Sequence, residues 1–204
     1  MVLYGQSRTR RYFNMDGIVT KYESGLTLIE PKVYRDDRGY FYETYNRDWF
    51  DKNVEFSSEF VQDNQSFSTY GVLRGLHFQA PPFAQAKLVR VVCGEVYDVG
   101  VDIRRGSPTF GKWEGVFLSD KNKRQFLLPR GFAHGFVVLS DHAIFQYKCD
   151  APYCKECEGA IAWNDGDISV DWPIPVKDVI LSEKDRCHPM LRDIVSPFVL
   201  GENC

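Results

Sequence analysis

A recurrence of short strand-like runs, each closed by a turn signal, constrains the fold of this chain more than any other feature. From Leu26 onward it reads TLIEPKVY, YFYETY, EFVQDNQSFS, GVLRGLHF, KLVRVVCG, EVYDVGVDI, WEGVFLS, QFLLP, GFVVLS and AIFQYKC, with RDDRG, CGE, RRGSP, SDKN, PRG and LSDH between them. β-Branched and aromatic residues suit a pleated, half-buried surface, whereas clusters of Gly, Pro, Asp and Asn end it. No long segment repeats its apolar residues at the 3.6-residue helical period. The pattern therefore predicts a mainly β, antiparallel sandwich or barrel. Helix is expected only in short pieces, around NRDWFDKN (residues 46–53) and in the tail.

With 204 residues, 44% of them hydrophobic, the chain can bury one substantial core and fits one domain better than two. Residues 24–190 are read as that domain, with the strand-like runs ending at Cys149. Residues 1–23, with Met15 a plausible alternative start, read as an N-terminal arm or extension, and residues 191–204 as a C-terminal tail beyond the turn-forming Pro173 and Pro175. A net charge of −3 supplies no basic field for nucleic acid, although local Arg and Lys clusters could hold a small anion. No run approaches the roughly 20 apolar residues that span a bilayer, and MVLYGQSRTRRYFN lacks the apolar centre of a secretory signal, so no membrane partner and a cytoplasmic location are expected. The six cysteines are too sparse for a disulfide scaffold. Cys154 and Cys157 have the CxxC spacing of a zinc or redox site, but no second ligand pair with zinc-finger spacing follows, and we read them as loop thiols.

Of the four histidines, His142 in SDHA and His188 in RCHPM read as solvated, whereas His77 and His134 lie in apolar, strand-like surroundings. A histidine there is either a hydrogen-bonded core residue or a group that titrates near neutral pH and does chemistry. In EFVQDNQSFS, alternation puts Gln62, Asn64 and Ser66 on one face and Val61, Asp63 and Gln65 on the other, as in a ligand wall or a solvated edge strand. Strict alternation also sets Arg74 and His77 on opposite faces of RGLHFQ. A bulge at the intervening Gly75 would turn both inward. Lys87, in step with Val89 and Val91, reads either as an inward lysine or as one snorkelling from the strand's start.

Taken in order, DDRGYFYETY, FVQDNQSFS, GVLRGLHFQ, KLVRVVCGEVYDVGVDIRRGSPTFG, LLPRGFAHGFVVLSD, QYKC, WNDGDISVDWP and LSEKD resemble the sugar-nucleotide 3,5-epimerases of the dTDP-4-dehydrorhamnose 3,5-epimerase type. The resemblance implies an antiparallel jelly-roll (cupin-like) β-barrel that holds a nucleoside diphosphate 4-keto sugar and works as a homodimer, with strands or N-terminal parts packed across the subunits. It implies His77 as general base, Asp185 as its orienting carboxylate and Tyr147 as general acid. Arg38, Phe41, Glu43, Gln62, Asn64, Arg74, Lys87, His134, Tyr153, Glu158 and Lys184 fall at substrate-binding positions, with Tyr153 placed to stack on the base. Pro152 stands where the family commonly has an aromatic residue, which leaves the choice of nucleotide open. A relative inverting one centre, or a non-catalytic sugar-binding module, remains the alternative.

Metal-binding cupins have a second histidine where this chain has Gln79, and no glutamate follows in APPFAQ. His77 and His134 alone leave too few ligands, so neither a metal nor another cofactor is expected.

Overall fold

Alternation along the strands divides the chain into two facing sheets. The computed structural model describes residues 10–14, 17–56 and 58–202; residues 1–9 and Met15 lie outside the described residues. In chain order the elements are β1 (Arg10–Asn14), β2 (Gly17–Lys21), β3 (Thr27–Pro31), β4 (Tyr34–Asp36), β5 (Gly39–Phe41), α1 (Arg47–Val54), β6 (Gln62–Thr69), β7 (Leu73–Gln79), β8 (Lys87–Cys93), β9 (Glu95–Asp102), β10 (Trp113–Ser119), β11 (Gln125–Leu128), β12 (Phe132–Val138), β13 (His142–Cys149) and β14 (Glu158–Ala160). Among the described residues, one sheet has the order β1-β2-β3-β11-β8-β13-β6 and the other β10-β9-β12-β7-β14, with β4 and β5 forming a separate hairpin. The pairings within both sheets are antiparallel. From β6 to β9 each strand lies in the sheet opposite its predecessor, so neighbours in sequence face each other across the interior.

Val89, Val91, Phe126, Leu128, Phe136 and Phe145 fill the space between the sheets. The intervening residues of the smaller sheet, Leu73, Leu76, Val99, Val101 and Val137, pack outward against Ile161, Leu191 and Phe198 of the C-terminal segment. Both faces of β9 and β12 are therefore buried. On the far side of the larger sheet, Val19, Ile29, Leu88 and Leu127 meet Phe50 and Val54, which lie one turn apart on α1. Asn46 caps that helix by accepting from the Trp49 N–H at 3.1 Å, worth about 1 kcal/mol, and Glu55 ends it in the left-handed conformation. Part of the segment read as an arm is thus built into the larger sheet through β1 and β2, with Val19 in its packing. The tail likewise contributes Leu191 and Phe198 to the core.

Gly75 supplies the break in alternation that the sequence calls for. On β12, His134 pairs with His77 and Phe136 with Arg74, so two residues of β7, Gly75 and Leu76, stand opposite one of β12, Gly135. The offset is a bulge, and it turns Arg74 and His77 to the same inner face while Leu76 and Phe78 point outward. Gly75 has φ +144°, and a Cβ there would lie 2.6 Å from the Cα of Gly135, so both strands need a glycine at this crossing.

Candidate active site

The inner face collects a polar cluster at one end of the apolar interior. Lys87 alternates inward with Val89 and Val91, and its Nζ lies 5.9 Å from the centre of the Tyr147 ring. Burial pushes the Lys87 ammonium down, opposed by the negative fields of Cys149, Asp98 and Glu158. Burial also raises the Tyr147 phenol, against the positive field of Arg74. Across the β13–β6 pairing Tyr147 stands opposite Asn64, whose side chain accepts from Gln62 Nε2 at 3.0 Å. Among the described residues β6 is an edge strand of the larger sheet, as one reading of its amide-rich pattern has it. Arg74 Nε donates to Ser68 Oγ at 3.1 Å.

Two histidine–aspartate pairs flank the β7–β12 crossing. His77 Nε2 lies 2.6 Å from Asp185 Oδ1; the histidine side chain is 38% exposed and the aspartate 7%. Ser182 Oγ donates to Asp185 Oδ2 at 2.7 Å, and His188 Nε2 lies 3.3 Å from the same Oδ1 that meets His77. Burial, the largest influence on Asp185, would raise its carboxyl, but its bonds to His77, Ser182 and His188 together hold it well below the usual carboxylate range. His134, the register partner of His77, turns its Nε2 to Asp98, 3.0 Å from Oδ2. Asp98 is fully buried, and this pushes its carboxyl up against the pull of His134 and Lys87.

At the mouth, Lys184 Nζ donates to Glu158 Oε2 at 2.5 Å. Burial would raise the Glu158 carboxyl, but the Lys184 ammonium and a hydrogen bond from Tyr153 outweigh it and hold it below its ordinary range. Tyr153 is tied to β6 through its N–H, which donates to Gln62 Oε1 at 3.0 Å. His77, Glu158, Lys184 and His188 open on a cavity of about 370 Å³ with Phe78 and Pro189 in its wall. Gln79 serves the adjoining loop: its Nε2 donates to the carbonyls of Phe83 and Pro152, and its Oε1 accepts from the Cys154 N–H at 2.8 Å.

Residues 22–193 match the family model described as dTDP-4-dehydrorhamnose 3,5-epimerase. The chain belongs to the dTDP-4-dehydrorhamnose 3,5-epimerase family. It is 57% identical to the dTDP-4-dehydrorhamnose 3,5-epimerase of Shigella flexneri over 160 residues, 78% of this chain and 87% of that protein. The enzyme of the same description from Methanothermobacter thermautotrophicus is 54% identical over 170 residues, 83% and 91% of the two chains. A crystal structure of the Legionella pneumophila dTDP-6-deoxy-D-glucose-3,5-epimerase, solved with dTDP-4-keto-L-rhamnose, superposes with TM-score 0.84 at 44% identity, covering 97% of this chain and all (100%) of that one.

For a chain of the dTDP-4-dehydrorhamnose 3,5-epimerase family, three expected substrate residues stand apart from the rest. Arg38 pairs with Asp36 in the exposed β4–β5 hairpin, Phe41 is 67% exposed, and Glu43 lines a separate cavity of about 40 Å³ beside Trp49 and Gln125. Of the expected site residues, His77, Glu158 and Lys184 line the cavity, Tyr147, Lys87, Arg74 and His134 lie on the inner face beside it, and Arg38, Phe41 and Glu43 belong to neither group. The reading of His188 as solvated is corrected: its side chain is 10% exposed and bonded to Asp185, because the turn after Asp185 brings the residue three positions on back to the same carboxylate. Asp98 and Ser182 were not singled out from the sequence. Asp98 had a legible signal, since it shares the inner side of β9 with Val96 and Gly100; Ser182 had none. His77, Asp185 and His188 also have ligand atoms within 4.8 Å of one another, close enough to surround a metal ion.

Proposed function

We propose that this chain inverts C3 and C5 of dTDP-4-dehydro-6-deoxyglucose, giving dTDP-4-dehydro-L-rhamnose, by proton removal and return without a metal. The observation that carries the reading is the 2.6 Å contact between His77 and the charged, buried Asp185 at an open cavity. The ketone at C4 acidifies the neighbouring C–H bonds by delocalising charge onto its oxygen. His77 takes the proton from one face, and Asp185 fixes the imidazole's tautomer and stabilises the imidazolium. Tyr147 returns a proton from the other face, a task that suits a phenol which burial keeps protonated. Lys87 answers the charge on the enolate oxygen, with His134 and Arg74 nearby, and one such preorganised donor contributes about 3 kcal/mol. Tyr153 stacks on the base, Gln62 and Asn64 line the wall, and Glu158 and Lys184 close the mouth.

The same proposal takes the protein to be a homodimer in the cytoplasm. Arg38, Phe41 and Glu43 lie away from the cavity of their own chain, on a hairpin that exposes Tyr34, Tyr40 and Phe41, which suits contact with the site of a second copy. Arg38 then offers the diphosphate a forked donor. Mixing His77→Ala and Arg38→Ala proteins tests this arrangement: heterodimers regain activity if the hairpin serves the neighbour, and no recovery in verified heterodimers rules it out.

Incubation with dTDP-4-keto-6-deoxyglucose in D2O, followed by NMR, tests the reaction. Deuterium at C3 and C5 with inversion at both supports it. Label at one centre makes the protein a single-centre epimerase, and no label above a His77→Ala control removes the catalytic reading for this substrate.

A further inference from the structure

Cys154 and Cys157 are left unused by this reaction, yet their place in the fold is specific. Cys157 N–H donates to Cys154 O at 3.1 Å, closing a turn whose ends lie within about 7 Å, the reach of a disulfide. Their sulfurs are 2.7 Å apart and both residues are partly exposed. The turn is fixed to the strand that carries His77: Gln79 Oε1 accepts from the Cys154 N–H, and Ala80 N–H donates to Cys157 O at 2.7 Å. Tyr153 and Glu158 flank the pair directly, so the dithiol sits between two residues placed at the mouth.

We propose that Cys154 and Cys157 form an oxidisable dithiol that a low-molecular-weight disulfide closes to an intramolecular disulfide, and that closure loosens the loop's hold on the nucleotide sugar. Cys154 thiolate attacks one sulfur of the small disulfide and releases the first thiol. Cys157 thiolate then attacks the Cys154 sulfur of the mixed disulfide and expels the second. The two protein S–H groups are oxidised, the small disulfide is reduced to two thiols, and the two protons end on them. Contact with Cys154 holds the Cys157 thiol above its ordinary range, and the exchange balances in the same way whichever of the two sulfurs attacks first. Closure draws the two sulfurs from 2.7 Å to a bond of about 2.05 Å, and the Cys154 peptide through which Gln79 holds the loop directly adjoins Tyr153, so the change acts at that point. This second half rests on the proposed role of Tyr153.

The test uses the full chain, reduced and then exposed to glutathione disulfide. Trypsin cuts after Lys155, between the two cysteines, so closure links a peptide ending at Lys155 to one beginning at Glu156, with a loss of about 2 Da. The link is expected in the parent protein and absent in Cys154→Ser. Reaction at the exposed Cys187 without the link, or glutathione adducts alone at Cys154, would overturn the proposal. For the second half, KM for the nucleotide sugar should rise at least about threefold with kcat little changed, and the rise should vanish in Cys154→Ser. A linked protein with unchanged KM overturns the loosening. Lack of turnover in both redox states, with the link present, counts against the epimerase reading and leaves the dithiol intact.

Discussion

The two histidine–aspartate pairs differ less in residues than in surroundings. His77 and His134 are register partners across the same crossing, and each meets an aspartate. Asp185 has Ser182 and His188 as well, and stays charged while its histidine opens on the cavity. Asp98 is fully buried behind His134 and Lys87, the side chains proposed to face the enolate oxygen, and burial pushes its carboxyl the other way. An identical pair is suited to moving protons where polar partners and access surround it, and to holding a buried wall in place where they do not.

The largest effect expected is loss of chemistry at the first pair. His77→Ala should lower kcat/KM about a thousandfold, measured by coupled turnover assay, while lowering the unfolding free energy by only about 1 kcal/mol, because Ser182 and His188 still hold Asp185. Next, His134→Ala should reverse the emphasis, removing about 3 kcal/mol of stability in urea unfolding because it leaves Asp98 buried without its partner. Equal stability losses in the two variants would erase the distinction.

Tyr147→Phe should slow inversion about a hundredfold while His77 still exchanges its proton with solvent, so deuterium enters without a change of configuration. Inversion keeping pace with exchange in that variant would exclude Tyr147 as the acid.

The smallest effect expected is in the dependence of stability on pH, where the pairs have opposite signs. Asp185 has a lowered carboxyl, so its stabilisation is full above the unfolded value of about 3.9 and is lost as pH falls toward the folded one. Asp98 has a raised carboxyl, so its contribution is greatest below the unfolded value and is lost as pH rises through the folded one. The stability gap between parent and Asp185→Asn should shrink on acidification while that between parent and Asp98→Asn shifts in the parent's favour. Parallel pH profiles would show that the pairs are electrostatically alike.

The strands from β3 to β13 and the place of α1 were legible because each is a local pattern of alternation and turn residues, whereas the Asn46 cap emerged only with the structure. Gly75 was legible as well, since two inward side chains at odd spacing need an extra residue between them. The His77–Asp185 contact was not legible from spacing, because 108 residues separate the partners and only the wrapping of the C-terminal segment brings them together. The short β14 lacks the length to register as a strand and forms because β7 offers it an edge. The hairpin carrying Arg38 is local, but where its side chains serve depends on a surface beyond its own chain.

The glycine contact between β7 and β12 makes the composition of the pocket a matter of residue parity. Removing one residue beside Gly75 would restore strict alternation and send Arg74 and His77 to opposite faces, so that one half of the strand would present its apolar residues to the pocket in place of its reactive ones. Anyone grafting this proton-transfer pair onto another β-sandwich would therefore have to transplant two strands and their offset together, because side chains copied onto a regular ladder would arrive on the wrong side of the sheet.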